Sequence, residues 1–365
     1  MLFASLTFGC DGLRTRPNEL DGGGGMAGGS STAGGSTAGG SSTAGGNMAG
    51  GSGAHDAGLR ELTWGKMSPP AANAYQGLWG IGSGASVILY ANQHSSRIAR
   101  FQNGQWKTVY QDPSNTNLVS LWASPNEEVF SVGSFHADAC LADCSQPASW
   151  RQATLPTLTL TGVCGGRSLQ HVYAVGNTSL GRGALVKFDP TNVTWAIVSS
   201  DTGSTTNAGC WVGPDDAVYI AAQSTVVRYD GFGFTPETIA FPASWSVNDR
   251  ALMFVEVVAG SGSDVYAAGS GKRVMWRDAP GHWAFVFDPG STSPFRGLAV
   301  STAGALAAGS NLGADPIAAH GVQAAWAWQT TAPDLAAWSV WAATPDEVYL
   351  AGYASGAGAI YRGTR

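Results

Sequence analysis

The stretch VWAATPDEVYLAG at residues 340–352 closely repeats LWASPNEEVFSVG at residues 121–133. In both, a short apolar run leads into a turn with Pro and Asp or Asn, and a segment of the form V-Y-x-A-G follows. Pro and Asp or Asn at these positions are typical of a tight turn. Short apolar runs bounded by turns are typical of strands. Each stretch therefore predicts two strands joined by a turn.

Relatives of V-Y-x-A-G recur along the chain every 40 to 47 residues. A third alternating run, a turn and an aromatic residue follow most of them, which predicts four strands in a unit of about 43 residues. Four-stranded units at this period are typical of a β-propeller, each unit forming one blade. Seven copies predict an all-β, seven-bladed propeller. The copies are VILYA (87–91), VFSVG (129–133), VYAVG (172–176), VYIAA (218–222), VYAAG (265–269), ALAAG (305–309) and VYLAG (348–352).

The aromatic residues that close the units predict how the ring is completed. The seventh unit lacks such a residue, whereas an unmatched one, Trp64 in ELTWGKMS, precedes the first unit. We therefore expect residues 61–68 to lie beside residues 359–362 and to supply the outermost strand of the last blade, so that the ring has no open edge. The closing residues of the first six units are Trp106, Trp150, Trp195, Phe234, Trp283 and Trp326.

Residues 59–365 resemble bacterial propeller repeats of the WD, kelch and Asp-box kind, without the blade-end Trp-Asp or the kelch double glycine. The resemblance implies a fold and says little of function. SSDTGSTT at residues 199–206 resembles the core of a sialidase-type Asp-box. It follows Trp195 in a connection between blades, so a polar loop is the preferred interpretation. A sialidase would need three arginines, and only Arg250 and Arg296 fall in inter-blade connections.

The amino-terminal segment differs in composition from the rest. MLFASLTFGC, residues 1–10, resembles the end of a bacterial lipoprotein signal cut before a lipidated Cys10, from a gene whose start codon lies further upstream; an incidental apolar start is the alternative. Residues 11–58 are rich in Gly, Ser, Thr and Ala and predict a disordered linker. Together they resemble the tethered surface lipoproteins of myxobacteria-like bacteria. That resemblance implies a lipid anchor at Cys10, a membrane as partner and a place in the cell envelope, on the outer membrane or cell surface.

The other four cysteines predict two disulfides, since an exported domain favours them. We expect the pairs Cys140–Cys144 and Cys164–Cys210, although sequence alone does not settle pairing. For the second pair the alternative is two buried thiols. The six histidines show no metal-ligand spacing and are expected in solvated loops and turns. For the first cysteine pair the alternative is a metal site helped by three neighbouring side chains, His136, Asp138 and Asp143.

Composition bounds the function. A net charge of -6 with only 12% charged residues argues against a nucleic-acid partner. No residue pattern assigns a catalytic group, a metal or a cofactor, so none is predicted. Exposed aromatic and basic side chains in connections suit a ligand face, and we select Trp245, Arg250, Arg296 and Trp338. We predict a monomeric, non-catalytic binding module for a protein or glycan. The alternatives are a hydrolase or lyase acting on extracellular carbohydrate and a structural envelope protein.

Overall fold

The computed structural model describes residues 62–94, 96–251, 253–290, 293–301, 304–309, 318–322, 325–329 and 335–365. The chain divides into two units, Met1–Ala54 and His55–Arg365, and every described residue belongs to the second. The predicted lipidation site at Cys10 and most of the predicted linker, residues 11–54, belong to the first unit and lie outside the described residues. Within the described residues, no helix has the length and apolar character needed to cross a membrane.

Almost all regular structure is β-strand. The first eleven strands are β1 (Thr63–Lys66), β2 (Tyr75–Ile81), β3 (Ile88–Gln93), β4 (Arg97–Gln102), β5 (Gln105–Gln111), β6 (Leu118–Ala123), β7 (Val129–Cys140), β8 (Trp150–Gly165), β9 (Val172–Thr178), β10 (Gly183–Asp189) and β11 (Thr194–Ser199). The next eight are β12 (Asn207–Val212), β13 (Val218–Ala222), β14 (Thr225–Tyr229), β15 (Phe234–Ala240), β16 (Val255–Ser261), β17 (Asp264–Gly269), β18 (Arg273–Ala279) and β19 (His282–Phe287). The last seven are β20 (Phe295–Ser301), β21 (Gly304–Gly309), β22 (Ala318–Val322), β23 (Ala325–Gln329), β24 (Leu335–Thr344), β25 (Glu347–Ala354) and β26 (Ala357–Thr364).

In the described residues, helical structure is confined to short connections. There, one α-helix, α1 (Val247–Ala251), precedes β16. Short 3-10 turns occur at Gly84–Ser86, Pro147–Ser149, Leu169–His171 and Ser270–Lys272.

The strands form sheets arranged like the blades of a propeller. Three sheets have four strands, in the orders β1-β26-β25-β24, β2-β3-β4-β5 and β20-β21-β22-β23. A fourth has six strands, β6 to β11, and a fifth has eight, β12 to β19. Seven strands line the centre and contact one another in a closed order: β2, β6, β8, β12, β16, β20, β24 and again β2.

Large and small residues alternate where these central strands meet. A Cβ atom at Gly80 would lie 2.4 Å from the ring of Trp341, and one at Gly165 would lie 2.4 Å from the ring of Trp122. The indoles therefore occupy the space that a side chain on the neighbouring strand would need. This packing brings the central strands together and leaves a narrow channel between them.

The six-stranded sheet corrects the expectation of four strands in every unit. The latter part of β7 pairs with the start of β8 as far as Cys140↔Trp150, and the end of β8 pairs with β9 as far as Gly165↔Val172. One long strand thus serves two consecutive units, and the unit that begins at β6 has three strands. The reason is local: no turn interrupts residues 134–140, where a bulge between Ser134 and His136 bends β7 without ending it.

The amino-terminal strand pairs with the last strand. β1 runs antiparallel to β26 from Thr63↔Thr364 to Lys66↔Tyr361. The amide of Met67 extends this ladder by donating to the carbonyl of Ile360 at 2.9 Å. Leu62 is buried in the same sheet's core, which Trp64 also contacts.

Both predicted disulfides are confirmed. Cys140 and Cys144 are bonded where β7 turns towards β8. Cys164 in β8 is bonded to Cys210 in β12, across two neighbouring central strands. The alternatives are therefore wrong: no sulfur of either pair is a thiol, and neither Cys140 nor Cys144 is free to ligate a metal.

Candidate functional site

Each of the seven central strands carries one bulged residue at the same position. In β2, Tyr75 pairs with Gln93 and Gly77 with Asn92, which leaves Gln76 as an extra, unpaired residue. The other six strands repeat this irregularity where they pair with the following strand. A bulge re-aims the extra side chain. The seven bulged residues are Gln76, Val119, Thr161, Ala208, Glu256, Arg296 and Trp338.

The glycine that ends V-Y-x-A-G explains where the bulges form. A Cβ atom at Gly133 would lie 1.9 Å from the carbonyl oxygen of Asn117, and one at Gly352 would lie 2.0 Å from that of Ala336. The backbone of the bulged strand lies so close to the glycine of the repeat that a side chain at that glycine would collide with it. In the first unit Gln93 holds this position, so the structural equivalent of the repeat is residues 89–93, two residues later than the match at 87–91.

The bulged residues all line one cavity of about 440 Å³ in the central channel. Their chemistry is unequal around the ring. Four consecutive positions carry Glu256, Arg296, Trp338 and Gln76, and we call this set the polar arc. The remaining three carry only small or aliphatic side chains, Val119, Thr161 and Ala208.

Within the polar arc and the described residues, Arg296 contacts the Trp338 ring and forms no ion pair with Glu256. Its guanidinium carbon lies 5.9 Å from the centroid of the Trp338 ring, a cation–π distance. Burial raises the pKa of Glu256, and the positive charge of Arg296 offsets this only in part. Gln76 shares a hydrogen bond of 2.7 Å between its Nε2 atom and Nδ1 of His94, while its side-chain oxygen is buried without a partner.

The structure brings together two of the four residues predicted for a ligand face. Arg296 and Trp338 adjoin in the polar arc, and they lie on the central strands β20 and β24 instead of in the inter-blade connections expected of them. Trp245 and Arg250 belong to a separate aromatic cluster on the connection from β15 to β16. Trp245 there lies 4.9 Å from the Phe285 ring and 4.1 Å from the guanidinium of Arg273.

Sequence reasoning missed Glu256 and Gln76. Both lie in runs that read as plain strand, and only a bulge brings them into register with Arg296 and Trp338. The signal that locates them is the glycine or its substitute at the end of each V-Y-x-A-G segment, because it faces the bulge.

The Asp-box-like stretch forms the connection between β11 and β12, as expected of a polar loop. Asp201 accepts a hydrogen bond from the Gly203 amide and pairs with Arg182 at 3.1 Å. The hydroxyl groups of this loop bond to nearby residues; for example, the Ser204 hydroxyl donates to the Asn207 side chain at 2.6 Å. The loop's polar groups thus serve its own folding.

His136 was expected in a solvated loop, and this is wrong. It lies in β7, buried, with its Nε2 atom 3.3 Å from Asp112 and 3.5 Å from Asp138. Burial lowers the pKa of His136, but the carboxylate of Asp138, the Ser134 carbonyl and the charge of Asp112 outweigh it, so the pKa is raised. Burial also raises the pKa of Asp138. Among the described residues, no group of His, Cys, Asp and Glu is placed to hold a metal.

This buried group predicts a pH-dependent contribution to stability. Because the folded-state pKa of His136 lies above its ordinary 6.5, its stabilisation is fully present below pH of about 6.5 and is lost as pH rises through the raised value. We expect His136→Gln to lower the melting temperature more at pH 6 than at pH 8. Exposed His94→Gln is the control, and an equal loss at both pH values would contradict the prediction.

Comparison with known proteins shows the fold alone. No protein-family model and no curated protein matches the chain. Virginiamycin B lyase from Staphylococcus aureus is similar in structure, with a TM-score of 0.62 and 12% identity over 84% of this chain and 99% of that one. The RRP9 WD40 repeats give 0.63 and 8% over 84% and 100%, and YCF48 bound to D1 peptide gives 0.61 and 14% over 84% and 99%. At such identities the likeness supports a propeller fold.

Proposed function

We propose that this chain is a propeller binding module whose protein or glycan ligand binds at the polar-arc end of the central channel. The observation that carries the proposal is the ring of seven bulged residues, of which four consecutive members hold a carboxyl group, a guanidinium, an indole and an amide around one cavity. Proteins usually bind small ligands in concave sites that contain a few convergent polar groups.

We also propose that the domain has seven blades. The six-stranded and the eight-stranded sheet would each comprise two blades, joined through the long strand β8 in one case. In the other, β15 and β19 are joined in parallel through pairs such as Ile239↔Trp283. Seven mutually contacting central strands support this count. The pairing of β1 with β26 supports closure of the ring by the amino-terminal strand.

The location is proposed from the amino-terminal sequence. Lipidation at Cys10 and a Gly/Ser-rich linker would present a monomeric domain from the bacterial outer membrane or cell surface, with the membrane as partner through the anchor. The two disulfides are compatible with an exported protein, because they persist in oxidising compartments.

Binding at the polar arc is tested with the full chain on arrays of defined glycans and peptides. We expect Arg296→Ala and Trp338→Ala to reduce binding of any ligand found by at least tenfold while the melting temperature is kept. Arg182→Ala and Phe232→Ala, two exposed residues outside the arc, are matched controls. A ligand whose affinity is unchanged by Arg296→Ala and Trp338→Ala, or falls equally in the control variants, would refute the proposed site.

A hydrolase or lyase acting on extracellular carbohydrate is the second candidate. The observation that favours it is Glu256, whose raised pKa allows a carboxyl group to exchange protons nearer neutral pH. We would then expect Glu256→Gln to abolish turnover of a bound glycan and to leave its binding largely intact. Binding without turnover by the unmodified protein would select the binding module. Silence towards every glycan and peptide would favour a structural envelope protein.

A further inference from the structure

We propose that the polar arc binds a sugar that carries a carboxylate, such as a uronic acid unit of a polysaccharide. Arg296 would hold the carboxylate, Trp338 the apolar face of the ring, and Glu256 and Gln76 the hydroxyl groups. This inference rests on the proposed function, whose site it keeps and whose ligand it specifies.

Arg296 is a cation with unused hydrogen-bonding capacity. It is exposed at the channel, and within the described part of the chain its guanidinium makes only the contact with Trp338. A guanidinium offers a planar fork of donors that matches a carboxylate in two parallel bonds. Seven arginines elsewhere in the domain are paired with carboxylates of the protein itself, namely Arg100, Arg182, Arg228, Arg273, Arg277, Arg362 and Arg365.

Charge selects among possible anions. The arc holds one guanidinium and one carboxyl group, Arg296 and Glu256, so its net charge is close to zero when Glu256 is ionised. A phosphate dianion would meet repulsion from Glu256 without a second cation to offset it. A singly charged carboxylate with hydroxyl groups around it meets one cation and finds acceptors beside it.

The neighbours of Arg296 suit a ring of hydroxyl groups. Trp338 is half-buried and offers an aromatic surface to the C–H face of a pyranose. The carboxyl group of Glu256 makes no hydrogen bond in the described part of the chain, and the Gln76 amide has one unpaired oxygen. Sugar hydroxyl groups both donate and accept, so they satisfy such groups whichever protonation state or amide orientation is present.

The shape of the site agrees with one sugar unit or a few. A volume of about 440 Å³ lies in the range of small-ligand sites. The three positions opposite the arc hold short side chains, Val119, Thr161 and Ala208, so the charged groups among the bulged residues lie on one side of the cavity. A ligand would therefore bind in one orientation, with its charged edge towards Arg296.

The test is calorimetric titration of the full chain with short oligomers of galacturonate, glucuronate and mannuronate, each beside its carboxyl-reduced, neutral counterpart. We expect one acidic oligomer to bind at least tenfold more tightly than its reduced form. Arg296→Met should lower that affinity by 10- to 100-fold, as expected for lost charge-assisted hydrogen bonds, and should bring it level with the neutral sugar. Arg182→Met is the control, and the melting temperature of each variant reports folding.

Several outcomes would overturn the inference, and they separate it from the proposed function. Equal binding of the acidic and reduced oligomers, or no effect of Arg296→Met, would show that the arc does not recognise the carboxylate. The proposed sugar-binding site would then be retained without its acidic specificity. If a test peptide bound through its free C-terminal carboxylate and the sugars did not bind, the arc would be assigned to a peptide ligand. No binding of any oligomer would exclude acidic sugars, and the glycan and peptide arrays would then decide the proposed function by themselves.

Discussion

Replacing Glu237 by Ala should destabilise the domain by about 3 to 5 kcal/mol, the range for breaking one partner out of a buried ion pair. Glu237 lies on β15, and its carboxylate is almost fully buried against β18 and β19 of the same eight-stranded sheet. It accepts from the Arg277 guanidinium at 2.8 Å and from Nε1 of Trp283 at 2.7 Å. The substitution would leave the Arg277 charge and the buried Trp283 N–H without that partner. Thermal unfolding should show a melting temperature lower by roughly 5 to 8 °C, given the usual unfolding entropy per residue.

A surface ion pair provides the control for this prediction. Asp346 and Arg365 lie 2.8 Å apart, and the Asp346 side chain is 64% exposed. Asp346→Ala should cost about 0.2 to 1 kcal/mol, because water already solvates an exposed pair. Similar losses for Glu237→Ala and Asp346→Ala would show that burial does not govern the Glu237 interaction.

Removing the disulfide between Cys164 and Cys210 should cost about 4 kcal/mol. The bond joins residues separated by 46 positions in the sequence, and the entropy of closing a loop in the unfolded chain rises with its length. The double variant Cys164→Ala with Cys210→Ala avoids an odd thiol. Its free energy of unfolding, measured with urea, should fall by that amount.

The second disulfide is the matched comparison. Cys140 and Cys144 are separated by only four positions, so the same relation gives about 2 kcal/mol for their double replacement by Ala. Both bonds are largely buried, so packing losses are comparable. Equal losses for the two pairs, or a larger loss for the short one, would mean that loop entropy is not the dominant effect.

The repeating strands could be predicted because each carries its own local signal. Val348, Tyr349 and Gly352 belong to a hydrophobic pattern and a turn that need no knowledge of the rest of the chain. Trp64 could be placed beside the last strand because it was the unmatched closing aromatic residue before the first unit, and the seventh unit lacked one. Arg296 and Trp338 could be selected because aromatic and basic side chains suit a ligand face, although the structure places them on the central strands β20 and β24 and not in connections.

Other features depend on contacts that no local pattern records. His136 was expected in a solvated loop, but β7 continues through this residue and carries it into the interior against Asp112 and Asp138. Glu256 was overlooked because one residue of bulge decides whether it faces the channel. The bulge at Glu256 depends on how its strand pairs and packs with its neighbours, which is visible only in three dimensions.

The pairing of Thr63 with Thr364 has a consequence for engineering the domain. Cross-strand neighbours in an antiparallel pair lie roughly 5 Å apart, so a few residues would suffice to splice Leu62 to Arg365. Such a circularly permuted chain could be opened at an exposed turn, for example beside Phe232, whose side chain is 99% exposed. The same sheets would then form with a new order of synthesis, and a reporter domain could be fused far from the original junction.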